Sequence, residues 1–161
     1  MIPTTRHIEY ALGYIALGLL EEAANELILI DPADQSAPVV IRAKIELHMA
    51  AKQWDRVIAQ AQPLANEYPE FHEAWIAWAY ALRELQHVAE ALAVLERGLK
   101  HHGETHPIFY YNLACYHCLL GDLNPARASL RTACGADEDF KAMAAEDTDL
   151  RPLWAELRVS G

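Results

Sequence analysis

The sequence of 161 residues has little cysteine and an excess of acidic over basic residues. Three cysteines are an odd and small number, which gives no disulfide framework and favours a reducing compartment. The 13 basic and 23 acidic side chains leave a formal net charge of -10. Such a chain repels phosphate backbones and anionic lipid surfaces, so we predict no nucleic-acid partner and no membrane partner.

Long apolar runs and catalytic signatures are also missing. The longest apolar stretch near the start, from Tyr10 to Leu20, is too short to cross a bilayer and follows Glu9 without a basic leader. The sequence has no H-E-x-x-H motif, no glycine-rich phosphate loop and no G-x-S-x-G motif. We therefore predict a soluble cytoplasmic protein that is not an enzyme, with no catalytic residue, metal or cofactor.

What the sequence does contain is a repeat. Four segments align with one another: LGLLEEAANEL, AKQWDRVIAQA, LQHVAEALAVL and LGDLNPARASL. The bulky residues at their centres are Leu20, Trp54, Val88 and Leu123, spaced by 34, 34 and 35 positions. A period of this length is typical of arrays of helix pairs.

A second pattern precedes three of these segments. In the third unit it is Trp75, Trp78, Ala79 and Leu82, at the i, i+3, i+4 and i+7 spacing of one helix face. The fourth unit repeats it with Tyr110, Leu113, Ala114 and His117, and the first unit with His7, Tyr10, Ala11 and Tyr14. The second unit matches poorly, with Ile41, Lys44, Ile45 and His48. Turn signals divide each unit into two helices, at Gly18, Lys52-Gln53, Gln86-His87 and Gly121-Asp122.

A small residue follows the central bulky residue by three positions in three of the units, at Ala23, Ala91 and Ala126. In its period, its opening aromatic stripe and this small residue, the sequence resembles the tetratricopeptide repeat (TPR) family. The resemblance implies an all-α fold, a right-handed α-α superhelix or TPR solenoid of three to four helix pairs. We predict a single domain over residues 1–161, with repeats at about 4–35, 37–70, 71–105 and 106–136. Residues 137–158 are predicted to form C-terminal capping helices, because the last pair of a stack needs a cover.

The resemblance also implies that the first helix of each pair lines a concave groove that binds a peptide or helix of another protein. Helical geometry at 100° per residue then gives the side chains that point into it. The second repeat contributes Arg42, Glu46 and Met49. The third contributes Ile76, Tyr80 and Arg83, and the fourth contributes Ile108, Tyr111, Asn112 and Cys115. The first repeat would add Thr5, Ile8, Leu12 and Ile15.

TPR domains that hold the C-terminal carboxylates of heat-shock chaperones use a clamp of basic and amide side chains on these helices. Arg42 and Asn112 match two elements of such a clamp, but Glu46 stands where an amide is needed. A desolvated carboxylate needs its full set of donors. We therefore predict that this chain does not bind that class of ligand.

Two alternatives stay open. Small proteins with three TPRs include the type III secretion chaperones, which hold a client in the groove, and the apolar first helix would suit a homodimer through the N-terminal helices. A thiol- or metal-dependent protein using Cys115 and Cys118 is the other alternative. Geometry disfavours it, since His117 points about 100° or more away from both cysteines on a straight helix. The histidines of HHGETH, residues 101–106, are interpreted as a helix end.

Overall fold

The computed structural model describes residues 2–102 and 105–159. Within these ranges the regular structure is helical, and no strand occurs. The α-helices are α1 (Thr4–Ala16), α2 (Leu20–Ile28), α3 (Pro38–Ala50), α4 (Trp54–Glu67), α5 (His72–Glu84), α6 (Val88–His102), α7 (Ile108–Leu120), α8 (Leu123–Ala136), α9 (Asp139–Glu146) and α10 (Trp154–Val159). Two 3-10 segments, Pro32–Asp34 and Thr148–Leu153, join them. None of the described helices is both long and apolar enough to span a bilayer.

The turns inside the helix pairs share one backbone geometry. Each has a residue with positive φ: Gly18 at 75°, Lys52 at 55°, Gln86 at 67° and Gly121 at 84°. The amide of the following residue bonds back across the turn, joining Leu19 to Tyr14, Gln53 to His48, His87 to Leu82 and Asp122 to His117. This is the left-handed helix end of a Schellman motif. The turn signals seen in the sequence thus mark the same structural joint four times.

The chain divides into two compact units, Met1–Ala81 and Leu82–Gly161, which we call the N-terminal and C-terminal units. The boundary falls inside α5, so Arg83 and Glu84 belong to the C-terminal unit. In the N-terminal unit, α1 packs on α2 and on α3, and α3 packs on α4. Its core cluster contains Ala11, Ala23, Leu27, Ile30, Val40, Ala43 and Leu47. The buried side chains of α3 are Val40, Ala43, Ile45 and Leu47, so of the weak stripe expected at Ile41, Lys44, Ile45 and His48 only Ile45 is buried.

In the C-terminal unit, α7 packs on both α6 and α8. The non-repetitive end of the chain then folds back on this pair. Helix α9 packs against α8, whereas the 3-10 segment Thr148–Leu153 packs mainly against α7. Phe109, Leu95, Leu150 and Leu153 are among the largest fully buried side chains. Residues from the end of the chain therefore form part of the same core as the last repeat.

Candidate functional site

The first candidate site is a groove between α1 and α3, which we call the N-terminal groove. It has a volume of about 360 Å³ and is half open to solvent. Its lining residues are Thr5, Ile8, Leu12, Val39, Arg42, Ala43 and Glu46. Ala43 is buried at its base, while Leu12 and Val39 are exposed on its sides. The groove therefore offers apolar surface with one cation and one carboxylate at its edge.

Arg42 is held in place by two neighbours in the N-terminal unit. Its Nη2 atom donates to Oε1 of Glu73 at 2.6 Å, and its guanidinium lies 5.2 Å from the ring centre of Phe71. Both charged side chains remain 39% exposed. Arg42 thus reaches solvent at the edge of the groove, but part of its charge is already neutralised. That the chain does not bind the C-terminal carboxylates of heat-shock chaperones stays a prediction.

The other predicted groove residues of the N-terminal unit lie on α3 and α5. Glu46 and Tyr80 are exposed, and Met49 and Ile76 are half-buried. The ring of Tyr80 meets the ring of Trp54 edge to face at 5.8 Å. Trp54, the bulky residue at the centre of the second repeat segment, is half-buried. An aromatic pair at the surface was therefore missed, because periodicity alone does not give the exposed fraction of a side chain.

On α7 of the C-terminal unit, two predicted groove residues are covered by the chain itself. Tyr111 is 3% exposed and Cys115 is 4% exposed. The hydroxyl of Tyr111 donates to Oδ2 of Asp147 at 2.9 Å, and the Cys115 thiol approaches the same oxygen at 3.6 Å. The ring of Tyr111 also stacks on Phe140, with 5.1 Å between the ring centres. The segment that reaches this face, residues 147–153, is called the tail segment below.

Arg83 makes the second polar contact to the tail segment. Its Nε atom donates to Oδ2 of Asp149 at 3.0 Å and its Nη2 atom donates to Oδ1, so the pair is bidentate. Its Nη1 atom also donates to Glu84 at 3.1 Å. The remaining predicted residues of this unit, Ile108 and Asn112, are half-buried. Their predicted role in partner binding, like that of the other groove residues, stays a prediction.

The three thiols lie in surroundings that disfavour thiolates. Burial, followed by the charges of Asp147 and Asp149, raises the pKa of Cys115 well above its usual range. Burial is also the largest cause of the raised pKa values of Cys118 and Cys134. Since the thiolate is the reactive and metal-binding form, these shifts do not favour thiol chemistry. In the described ranges, no three His, Cys, Asp or Glu side chains are placed to hold a metal ion.

The histidines near the end of α6 form ring contacts. His102 is buried and stacks on Phe109 with 5.7 Å between ring centres, and its ring meets that of His106 edge to face. Gly103 and Glu104, the expected cap and the acidic member of the HHGETH stretch, lie outside the described residues. The helix-end interpretation is thus supported for His102 by its packing.

A larger cavity of about 520 Å³ lies in the C-terminal unit, beside α8, α9 and α10. The repeat pattern does not predict this cavity. It is lined by Arg127, Leu130, Arg131, Cys134, Lys141, Ala142, Ala145, Leu153, Trp154, Glu156 and Leu157. Arg127 donates from Nε to both carboxylate oxygens of Glu156 at 2.8 Å. The spacing of Arg127 and Arg131 on α8 was the available sequence signal, but the cavity depends on how the non-repetitive helices pack.

The chain is similar to known repeat proteins in one segment of its sequence and in its fold. The family model described as tetratricopeptide repeat matches residues 72–114. This segment, which runs from α5 into α7, resembles a tetratricopeptide repeat. Among solved structures, it is similar to TTC0263, a thermophilic TPR protein of Thermus thermophilus, with a TM-score of 0.72 and 14% identity over 97% of this chain and 99% of that one. It is also similar to a structure described as MamA MSR-1 C2, with a TM-score of 0.66 and 13% identity over 96% and 94%. No curated protein matches at a significant level.

At these identities the two solved structures establish the fold alone. The predicted fold class, an all-α TPR solenoid, is confirmed. The TPR fold is that of a protein-interaction scaffold, and TPR proteins are generally not catalysts. Function must be argued from the surfaces that the fold presents.

Proposed function

We propose that this protein is a non-catalytic scaffold that binds a peptide or helix of a partner protein in its N-terminal groove. The observation that carries the proposal is the open groove between α1 and α3, with exposed Leu12 and Val39 facing solvent. Apolar side chains exposed in a concave site are typical of a recognition surface. Tyr80 supplies a further exposed aromatic side chain in the same unit.

The chemistry of this groove favours a ligand with one or two apolar anchor residues. Ile8, Leu12 and Val39 would contact those anchors, since Ala43 leaves room between the helices. The Arg42–Glu73 pair, half-exposed at the edge, would select against an unpaired charge next to the anchors. Affinity would come mainly from buried apolar area, with the charged edge contributing to specificity.

A peptide-display selection against the purified protein tests the groove. Peptides enriched on the wild type should bind at least ten-fold more weakly to the Leu12→Lys/Val39→Lys variant in fluorescence anisotropy. Met143→Lys is the matched control, because Met143 and Val39 are both 48% exposed and Met143 lies on α9. Circular dichroism should show the same helicity for all three proteins. Equal binding by wild type and the double variant would refute the groove as the site.

Self-association through the N-terminal helices is a second proposal, carried by a different observation. Several large apolar side chains near the ends of α1 and α2 are exposed, namely Leu17, Leu19, Ile28 and Leu29. Exposed apolar groups of this kind favour contact with another protein surface. We expect a homodimer in sedimentation equilibrium, weakened by Ile28→Lys/Leu29→Lys. A monomer at all concentrations would exclude both this dimer and a secretion-chaperone function that depends on it.

A further inference from the structure

The tail segment brings two carboxylates to one face of the last repeat. Asp147 and Asp149 are two positions apart, and the backbone at Asp147 is extended, with φ at -75° and ψ at 114°. Oδ2 of Asp147 accepts from the hydroxyl of Tyr111, while its Oδ1 accepts from the backbone amide of Asp149 at 3.0 Å. Each carboxylate thus has its own donors, and the first also fixes the turn that positions the second.

The donors on the repeat side belong to the first helices of the TPR pairs. Arg83 lies near the end of α5 and binds Asp149 through two nitrogens, and Tyr111 lies on α7 beside Cys115. The exposed fractions are 24% for the Arg83 side chain and 14% for that of Asp149. Bidentate guanidinium–carboxylate pairs are strong and directional, and buried donors are costly to leave without acceptors. A covering segment without carboxylates would remove these acceptors from Arg83 and Tyr111.

Next to these polar contacts the tail segment inserts two leucines. Leu150 and Leu153 are buried completely or almost completely. Behind them, Nε1 of Trp154 donates to the carbonyl of Ala144 at 2.9 Å. The order of features along the segment is therefore carboxylate, spacer, carboxylate and leucine. In this order, the two carboxylates bind the donors of Tyr111 and Arg83, and the leucine packs into the core.

We infer that the face formed by Arg83, Tyr111 and Cys115 is a recognition surface for an acidic peptide of the form Asp-x-Asp-Leu, and that residues 147–150 are its built-in occupant. The partner is a protein segment with the same two carboxylates and the same apolar anchor, which binds when the tail segment leaves. This surface lies in the C-terminal unit and shares no residue with the N-terminal groove. The proposal therefore goes beyond the proposed function and stands without it.

Competition with the tail segment has a measurable consequence. A tethered segment acts at an effective concentration in the millimolar range, so a free peptide at micromolar concentration displaces little of it. Wild-type protein should therefore bind such a peptide weakly. Weakening the tail segment by removing its charges should expose the surface and strengthen binding of the added peptide.

The test uses a fluorescein-labelled peptide of residues 144–153, AAEDTDLRPL, and full-length protein in anisotropy titrations. The Asp147→Asn/Asp149→Asn variant should bind it at least ten-fold more tightly than the wild type. Adding Arg83→Gln to that variant should remove at least ten-fold of the affinity. A peptide with both aspartates changed to asparagine should not bind. The single variant Asp149→Asn, which keeps the Tyr111 contact, provides the same comparison if the double variant does not fold.

Two controls separate this proposal from the first. Leu12→Lys/Val39→Lys should leave binding of this peptide unchanged, because those residues lie on α1 and α3. Limited proteolysis should cleave the tail segment faster in Asp147→Asn/Asp149→Asn than in the wild type. If the folded variant with an accessible tail segment does not bind the peptide, or binds it equally with Arg83→Gln, the face is only a structural contact and the proposal is wrong.

Discussion

The N-terminal and C-terminal units present the faces of their first helices differently. In the N-terminal unit, the side chains between α1 and α3 border an open groove. In the C-terminal unit, the corresponding face of α7 is covered by the tail segment, which satisfies Tyr111 with a carboxylate. The repeat pattern is shared by both units. The pattern therefore determines which side chains share a helix face, whereas what covers that face is decided by sequence outside the repeat.

The same contrast holds for apolar side chains at the two ends of the described chain. Around α1 and α2, Leu17, Ile28 and Leu29 are exposed, whereas Leu150 and Leu153 of the tail segment are buried. Exposed apolar area favours association, and buried apolar area stabilises the fold. We therefore expect substitutions of the exposed apolar residues near the N-terminus to affect binding, and substitutions of the buried leucines of the tail segment to affect stability.

The largest effect is expected from Leu150→Ala. Because Leu150 is fully buried, the change should lower the free energy of unfolding by about 3 kcal/mol. The matched control is Met143→Ala at an exposed position, which should stay within about 0.5 kcal/mol of the wild type. Urea unfolding followed by circular dichroism measures both. A loss below about 1 kcal/mol for Leu150→Ala would show that the tail segment is not part of the core.

The contacts of the tail segment are the part of the structure that the sequence alone does not predict. The helix pairs, their turns and the shared face of Tyr111 and Cys115 follow from the 34-residue period and from helical geometry. The Arg83–Asp149 pair joins residues 66 positions apart, and no local pattern connects them. The tail segment lies outside the repeat, and its 3-10 turn depends on the carboxylate of Asp147. The position of the tail segment depends on tertiary packing. The sequence alone therefore does not show whether the groove is open or occupied by the chain itself.

Substitutions in the two arginine–carboxylate pairs should have effects of intermediate size on the free energy of unfolding. Arg83→Gln leaves Asp149 mostly buried without its partner and should lower the free energy of unfolding by about 1–3 kcal/mol. Arg42→Gln affects a pair that is 39% exposed on both sides, so the expected loss is about 0–1 kcal/mol. Chemical unfolding of both variants measures which of them loses more free energy of unfolding. Equal losses would contradict the view that only the C-terminal pair is shielded from solvent.

Added salt should weaken the two arginine–carboxylate pairs to different degrees. The exposed Arg42–Glu73 attraction is screened by added salt, whereas the more buried Arg83–Asp149 pair is screened less. Raising the salt concentration from about 0.05 M to about 0.5 M should therefore reduce the effect of Arg42→Gln by a larger fraction than that of Arg83→Gln. Double-mutant cycles with Glu73→Gln and Asp149→Asn isolate each pairwise contribution.

The smallest difference between the two units is expected at the turns, where the two units are alike. Gly18 and Gly121 both have positive φ, and a Cβ added at either position meets nothing within 4 Å. The effect of substitution is then purely conformational, so Gly18→Ala and Gly121→Ala should each lower the free energy of unfolding by about 1 kcal/mol. Unequal losses would mean that the left-handed joint contributes differently in the two units. Equal losses would mean that the two units differ only in their helix faces and in the segments that cover those faces.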